Sequence, residues 1–263
     1  MTAQRAARSD PSFPGDLGPG DRPIAVGIEV QDNAQRQAPF SYRCNGCSRC
    51  CYNKRIQLNP YEIARLARNR GMDSGEFLSA YTDAGGSVLT QQAGGACVFL
   101  RDGGCSVHPD RPLVCRLYPL GRYVERDGTE TFVHVEPHPE TEGEYGEDGT
   151  VADFLDQQQA AAFLAAADRY LALFHDLVAL LQRRLGERPS DVPDVMASLD
   201  QPGGDGEPVA WYDIDRIVAD HAAGTGAPRP SSPEDKMTTH IEALRTWASL
   251  PDEEKTHGPS QER

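Results

Sequence analysis

The sequence predicts an α+β protein. It begins with a small cysteine-stapled unit of short helices and a β-hairpin. A long helical segment follows, and then a loosely packed helical tail. Three observations carry this expectation. All seven cysteines lie between Cys44 and Cys115, four of them within Cys44-Asn45-Gly46-Cys47-Ser48-Arg49-Cys50-Cys51. Two extended apolar stretches flank Arg126-Asp127-Gly128-Thr129, a turn composition that closes hairpins. From Val151 to Leu185 apolar residues recur at helical spacing.

The bulk composition bounds the answer. Apolar residues make up 38% of 263, below the usual ~45–50%. Gly (25) and Pro (20) are plentiful, so part of the chain is expected to lie outside a packed core. Four segments are expected. Residues 1–40 form an N-terminal extension, disordered to about residue 22, and residues 41–135 form the cysteine-cluster domain. Residues 136–188 supply a loop and the long helical segment packing on that domain. Residues 189–263 hold Pro/Gly-rich linkers, short helices and a disordered tail.

The net charge of −14 disfavours nucleic acid or an anionic membrane as partner. A protein partner remains open. The N-terminus shows no apolar secretory core, and no run is long enough to span a bilayer. A cytoplasmic, reducing location is expected, where thiols rather than disulfides are the rule.

The elements follow in order. Pro23 to Val30 alternates apolar and polar residues and reads as a strand; residues 31–40 read as loop. After the cysteine knuckle, Lys54 to Leu58 reads as a short strand. Asn59 is an N-cap with Pro60 at the first helical position, and Gly71 stops that helix. Asp73 opens a second short helix through Tyr81. Two or three turns need a surface to dock on, and the cluster is the nearest. Ala84 to Gly95 is loop. Ala96–Leu100 and Cys105–Val107 are extended pieces around the turn Arg101 to Gly104, and Leu120–Glu125 with Thr131–Val135 form the hairpin. Tyr118, Tyr123 and Phe132 are expected to pack that hairpin on the cluster. Residues 136–149 read as a charged loop. Its acids Glu140, Glu142 and Glu144 fit a solvated segment better than a cation site.

Thr150 with Asp153 then makes a capping box, and the helical pattern runs to Gly186 with a break near Gln158. Two more helices are expected, from Asp213 to about Ala222 and from Ser232 to about Leu250.

The cysteine pattern is C-x2-C-x2-C-C, then C-x7-C-x9-C. A C-x2-C turn lets two sulfurs reach one metal while backbone N–H groups point at them, as in zinc knuckles and iron–sulfur ligation. Gly46 suits the tight turn. Cys50 and Cys51 are adjacent, and neighbouring extended residues face opposite sides, so the pair is expected to serve two metals or two corners of one cluster. A lone cysteine is usually a small buried hydrophobe. Seven at this spacing point to metal ligation.

At these residues a resemblance emerges. The knuckle, then Cys97-Val98-Phe99-Leu100, then Cys105 through Arg111-Pro112-Leu113-Val114-Cys115-Arg116-Leu117-Tyr118-Pro119, resembles the YkgJ-type cysteine-cluster family. That family is described as a zinc- or iron-chelating CxxCxxCC domain. The resemblance runs from about Arg43 to Tyr123. It implies zinc or iron binding, with an iron–sulfur cluster as one form, through Cys44, Cys47, Cys50, Cys51, Cys97, Cys105 and Cys115. Members usually carry an eighth cysteine just beyond this segment. This chain has none there, and His138 is the nearest candidate in its place; His134 and His108 are the alternatives. Arg111 and Arg116 either offset thiolate charge or pair with surface acids.

The sequence contains no G-x-S-x-G, no Walker loop and no G-x-G-x-x-G opening a helix. Catalytic residues are not assigned, and whether the chain is an enzyme stays open. The expected function is that of a metal-binding protein, zinc or iron organising its fold. The alternative is an iron–sulfur redox protein or a protein-modifying enzyme, since one branch of the family resembles flagellin lysine N-methylases. Metal storage or delivery is a third reading.

Overall fold

The computed structural model describes residues 34–83, 86–125, 127–185 and 210–249. Within them the architecture is α+β, seven α-helices with three small antiparallel strand pairs. The predicted strand at Pro23 to Val30, the helix stop at Gly186 and the tail from 251 lie outside the described residues.

The helices begin where their caps are written. Helix α1 (Pro60–Arg70) starts at Asn59, whose side chain accepts the Glu62 N–H while the Glu62 carboxylate accepts the Asn59 N–H. It stops at Gly71 in the left-handed conformation, φ 72°. Helix α2 (Ser74–Tyr81) repeats the reciprocal cap with Asp73 and Glu76. Helix α3 (Leu113–Leu117) is a short turn behind Pro112. Helix α4 (Val151–Gln157) is capped by Thr150 and Asp153. The predicted break follows it, with Gln159 at φ 52°, and α5 (Ala161–Leu185) continues. Helices α6 (Ile214–Thr225) and α7 (Pro233–Ser249) are the two expected C-terminal helices.

Each sheet is a two-stranded antiparallel pair. Strand β2 (Leu100–Arg101) pairs with β3 (Gly104–Cys105), and β4 (Leu120–Val124) with β5 (Glu130–His134). The third pair joins β1 (Pro39–Arg43) to β6 (Glu144–Thr150), with Arg43 opposite Glu144. Both strands fall partly or wholly in predicted loops, which corrects the expectation for residues 31–40 and 136–149. Their pairing is long-range, and β6 is exposed along nearly its whole length, so it carries no apolar alternation to read. Conversely, Lys54 to Leu58 is not a strand; its one ladder contact is the bridge Gln57–Val88.

Three apolar clusters fix these parts. The first packs Ile63, Leu66, Phe77 and Leu78 of α1 and α2 on Phe99 and Val107, with Cys97 and Cys105 against it. The second joins Phe40, Leu120, Phe132, Phe154 and Leu155. The third sets Tyr61 among Phe163, Tyr170, Ile217, Met237 and Ile241. Each fully buried residue of this size contributes about 1.5–3 kcal/mol. Helix α1 thus contributes to the first core and the third, and the cysteine loops rest on the first.

Candidate metal centre

The site is assembled from four stretches of backbone, two of them on the short elements β3 and α3. Gly46 (φ 72°) and Ser48 (φ 60°) turn the chain twice within the knuckle, and a 3-10 turn spans Arg49–Cys51. A left-handed Ser is uncommon, and here it opens the 3-10 turn that carries Cys50 and Cys51. The Cys51 carbonyl accepts the Cys97 N–H at 2.8 Å, and Tyr52 bridges Ala96. This splices the knuckle to the second cysteine stretch. Cys105 sits on β3, opposite Leu100. Cys115 lies within α3, its N–H donating to the Pro112 carbonyl at 3.0 Å.

The loop before β6 is laced to the knuckle. Arg43 pairs with Glu144, Asn45 donates to the Glu142 carbonyl at 2.7 Å and to Glu144 at 3.0 Å, and Arg49 pairs with Glu140 at 3.4 Å.

All seven cysteines are free thiols, Cys44 and Cys115 exposed and the others half-buried. Electrostatically they form one neighbourhood. Cys115 feels Cys97, Cys105 and Cys50, and Cys51 feels Cys50, Cys115 and Cys97. Cys44, Cys47 and Cys50 act together on Tyr118. Burial, then its thiol neighbours, pushes the Cys115 thiol up, although its surface reaches solvent. The Cys51 S–H donates to Cys50, which brings the Cys50 thiol down to about 7 and drives Cys51 up. A thiol titrating near neutrality is ready to lose its proton to a metal.

The thiols are gathered without being closed on a point. Among the described residues no three Cys, His, Asp or Glu side chains converge to hold an ion. The donor set itself fits zinc or iron, since several thiolates within one neighbourhood are the soft ligands those metals take in structural and iron–sulfur sites. The residues that would hold such a centre are the seven cysteines.

The histidines are placed differently from one another. The His138 N–H donates to the Tyr118 hydroxyl at 3.2 Å, which brings the residue to the edge of the site. Its ring Nδ1 accepts the Glu140 N–H at 3.1 Å, so the neutral ring carries its proton on Nε2. His134 is exposed, its ring edge-on to Phe40 at 5.3 Å. His108 opens a 3-10 turn with Nδ1 3.4 Å from Arg111. Burial, with Arg111 and Arg116 nearby, holds its imidazole below the usual range.

Three tyrosines wall one side. Tyr42 stands edge-on to Tyr145 at 4.9 Å and to Tyr118 at 6.2 Å. Burial raises Tyr42 and Tyr118, and the nearby thiols add to it. The sequence reading anticipated Tyr118 but not Tyr42 or Tyr145. The signal was present: Phe40 and Tyr42 alternate toward Cys44. Tyr123 and Phe132 correct the expectation. Tyr123 is 42% exposed, and Phe132 is fully buried in the second core with Phe40.

The comparisons with known proteins bear on this same stretch. Residues 43–138 match the CxxCxxCC family. Its description reads "putative zinc- or iron-chelating domain". The matched segment is about a third of the chain, and it contains every cysteine and ends on His138. No curated protein and no solved structure matches the chain. The match supports metal binding in general for this segment. No helix among the described residues is long and apolar enough to cross a membrane.

Proposed function

We propose that Cys44, Cys47, Cys50, Cys51, Cys97, Cys105 and Cys115 bind zinc or iron, and that the metal organises residues 41–135. The observation that carries this reading is the single electrostatic neighbourhood formed by thiols from four separate stretches of backbone. Those stretches have little regular structure of their own: β2 and β3 are two residues each and α3 is five. Metal binding to such a unit is folding free energy, about 10–16 kcal/mol for a structural zinc.

Cys50 and Cys51 lie in a 3-10 turn with their thiols in contact, which corrects the expectation that they face opposite sides. What favours more than one metal is the number of thiols, seven where one tetrahedral site takes four. An iron–sulfur cluster is the second form this takes, and with it a redox or protein-modifying role. His138 as an eighth donor, through either ring nitrogen, requires loss of the Glu140 N–H bond to Nδ1.

Anaerobic purification followed by metal and sulfide analysis, with an optical spectrum, separates the forms. Colourless protein holding zinc supports the structural reading. Brown protein with iron and sulfide supports the redox one. Protein with neither metal, unmoved by added zinc or iron, would remove the proposal. Metal stoichiometry of His138→Ala, compared with wild type, decides the eighth ligand.

A further inference from the structure

The outer edge of the β4–β5 hairpin is only partly used. Phe132 on β5 turns its backbone away from β4 and pairs with Ala34. The Ala34 N–H donates to the Phe132 carbonyl at 3.0 Å, and the Phe132 N–H to the Ala34 carbonyl at 2.8 Å. Backbone groups two residues apart on a strand point the same way. His134 and Glu136 therefore present their N–H and C=O groups on this same edge, where neither has a backbone partner among the described residues. Val135 between them faces β4, its N–H donating to the Pro119 carbonyl at 2.8 Å. An open edge of this kind is a template for another strand.

The sequence that can fill it adjoins Ala34. The described chain starts at Ala34, already antiparallel to β5, and 33 residues precede it. Counting back at the same register puts Asp32 opposite His134, Val30 opposite Glu136 and Ile28 opposite His138. Residues directly opposite share a face, and so do residues two apart. Ala34 packs with Phe132 on the second core. At this register Ile24, Val26, Ile28 and Val30 all share the Ala34 face, so the alternation of Pro23 to Val30 is in phase with the core. A slip of one residue would turn all four to the other face. Asp32 is the polar member of that face, and its place opposite the exposed imidazole of His134 suits a carboxylate.

We propose that the outer edge of β5 is the docking surface for this chain's own residues 24–32, which add to it as a third, antiparallel strand. Asp32 pairs with His134 and Val30 with Glu136. The ladder ends there, because the His138 N–H is taken by the Tyr118 hydroxyl at 3.2 Å. Ile28 then lies alongside His138 and covers the edge of the cysteine site at which Tyr118 stands. The occupant is this segment and not a second copy, since a chain leaving Ala34 in register needs no connecting loop and meets the edge at high effective concentration. The inference does not depend on the metal-binding reading.

Amide hydrogen exchange of the full chain, resolved residue by residue by NMR, is the test. The His134 and Glu136 amides are expected to exchange at least about tenfold more slowly in wild type than in the double variant Asp32→Pro with Val30→Pro, since proline cannot donate to a ladder. The Val133 amide, which faces β4, is expected to be the same in both proteins; a general loosening of the hairpin would move all three. In wild type a close Hα–Hα contact between Gln31 and Val135 is also expected, because that pair is the non-hydrogen-bonded one. This contact decides should the double variant not fold. Equal exchange in the two proteins, or no contact between Gln31 and Val135, overturns the proposal. Protection that rises with protein concentration assigns the edge to a second copy and overturns it as well.

Discussion

The Glu62 carboxylate, inside the protein on α1, accepts the Leu113 N–H at 2.6 Å, 51 positions along the chain. Its other oxygen closes the cap of α1 at Asn59. One side chain thus starts one helix and anchors the start of another, two residues before Cys115. Burial raises its carboxyl to about 6, and the two N–H groups oppose the rise. Glu62→Ala leaves both donors unsatisfied inside the protein and is expected to cost at least about 1–3 kcal/mol. Chemical denaturation of the two proteins at neutral pH reads this directly, and a loss below a few tenths would contradict the anchoring role.

His240 predicts how stability responds to acid. It is fully buried between α5 and α7, Nδ1 accepting from the Tyr170 hydroxyl at 3.1 Å and Nε2–H donating to the Trp211 carbonyl at 3.1 Å. Burial depresses its imidazole from 6.5 to about 3. A depressed pKa means the unfolded chain takes a proton that the folded one refuses. The contribution is whole above about 6.5 and is lost as pH falls toward 3. His240→Gln should remove a slope of up to about 1.4 kcal/mol per pH unit over that window. Unfolding midpoints at pH 7, 6 and 5, compared between the two proteins, provide the check; parallel lines would refute it.

The tyrosine wall depends on a missing side chain. A Cβ at Gly143 would run into the Tyr42 ring and hydroxyl. Tyr42 is 9% exposed and held between Tyr118 and Tyr145, so it cannot swing aside. Gly143→Ala is expected to cost about 1–3 kcal/mol and to change the near-ultraviolet circular dichroism of the tyrosines. A variant with unaltered spectrum and melting temperature would show that Tyr42 has room to move.

Metal removal should act unevenly. On the reading proposed above, chelation frees the knuckle and residues 96–116, whose elements are short. The α5–α7 core, built on Phe163, Tyr170, Ile217 and Ile241, has no cysteine in it. Hydrogen exchange with and without chelator is expected to show protection lost in the first region and kept in the second. Uniform loss across both would mean the metal holds the whole molecule.

How much could be read beforehand followed the range of the interactions. Asn59 with Glu62, Asp73 with Glu76 and Thr150 with Asp153 each act over three residues, and all three helix starts stood in the sequence. So did the hairpin of β4 and β5 and the break near Gln158. The β1–β6 pair did not, because its partners are about a hundred residues apart and β6 reads Glu-Tyr-Gly-Glu-Asp-Gly-Thr with no apolar face. At the site, cysteine spacing marked the thiols. Arg116 was visible only as an arginine with two possible partners; its burial against the carbonyls of Pro109, Arg111 and Gln158, near Glu62 and Asp110, is a property of packing.

The β1–β6 ribbon has one more consequence. Arg43 stands opposite Glu144, and every cysteine from Cys44 to Cys115 lies between them. The ribbon closes that stretch into a ring at its base. Joining two points about a hundred residues apart costs a free chain about 4 kcal/mol in lost conformations. Once the ribbon has formed, that cost lies in the protein fold and not in the ligand-binding step. The thiols then search for one another within a tethered loop, at a raised local concentration. Cutting the tether, for instance with prolines in β6, would leave every cysteine in place and still make each of them harder to bring together.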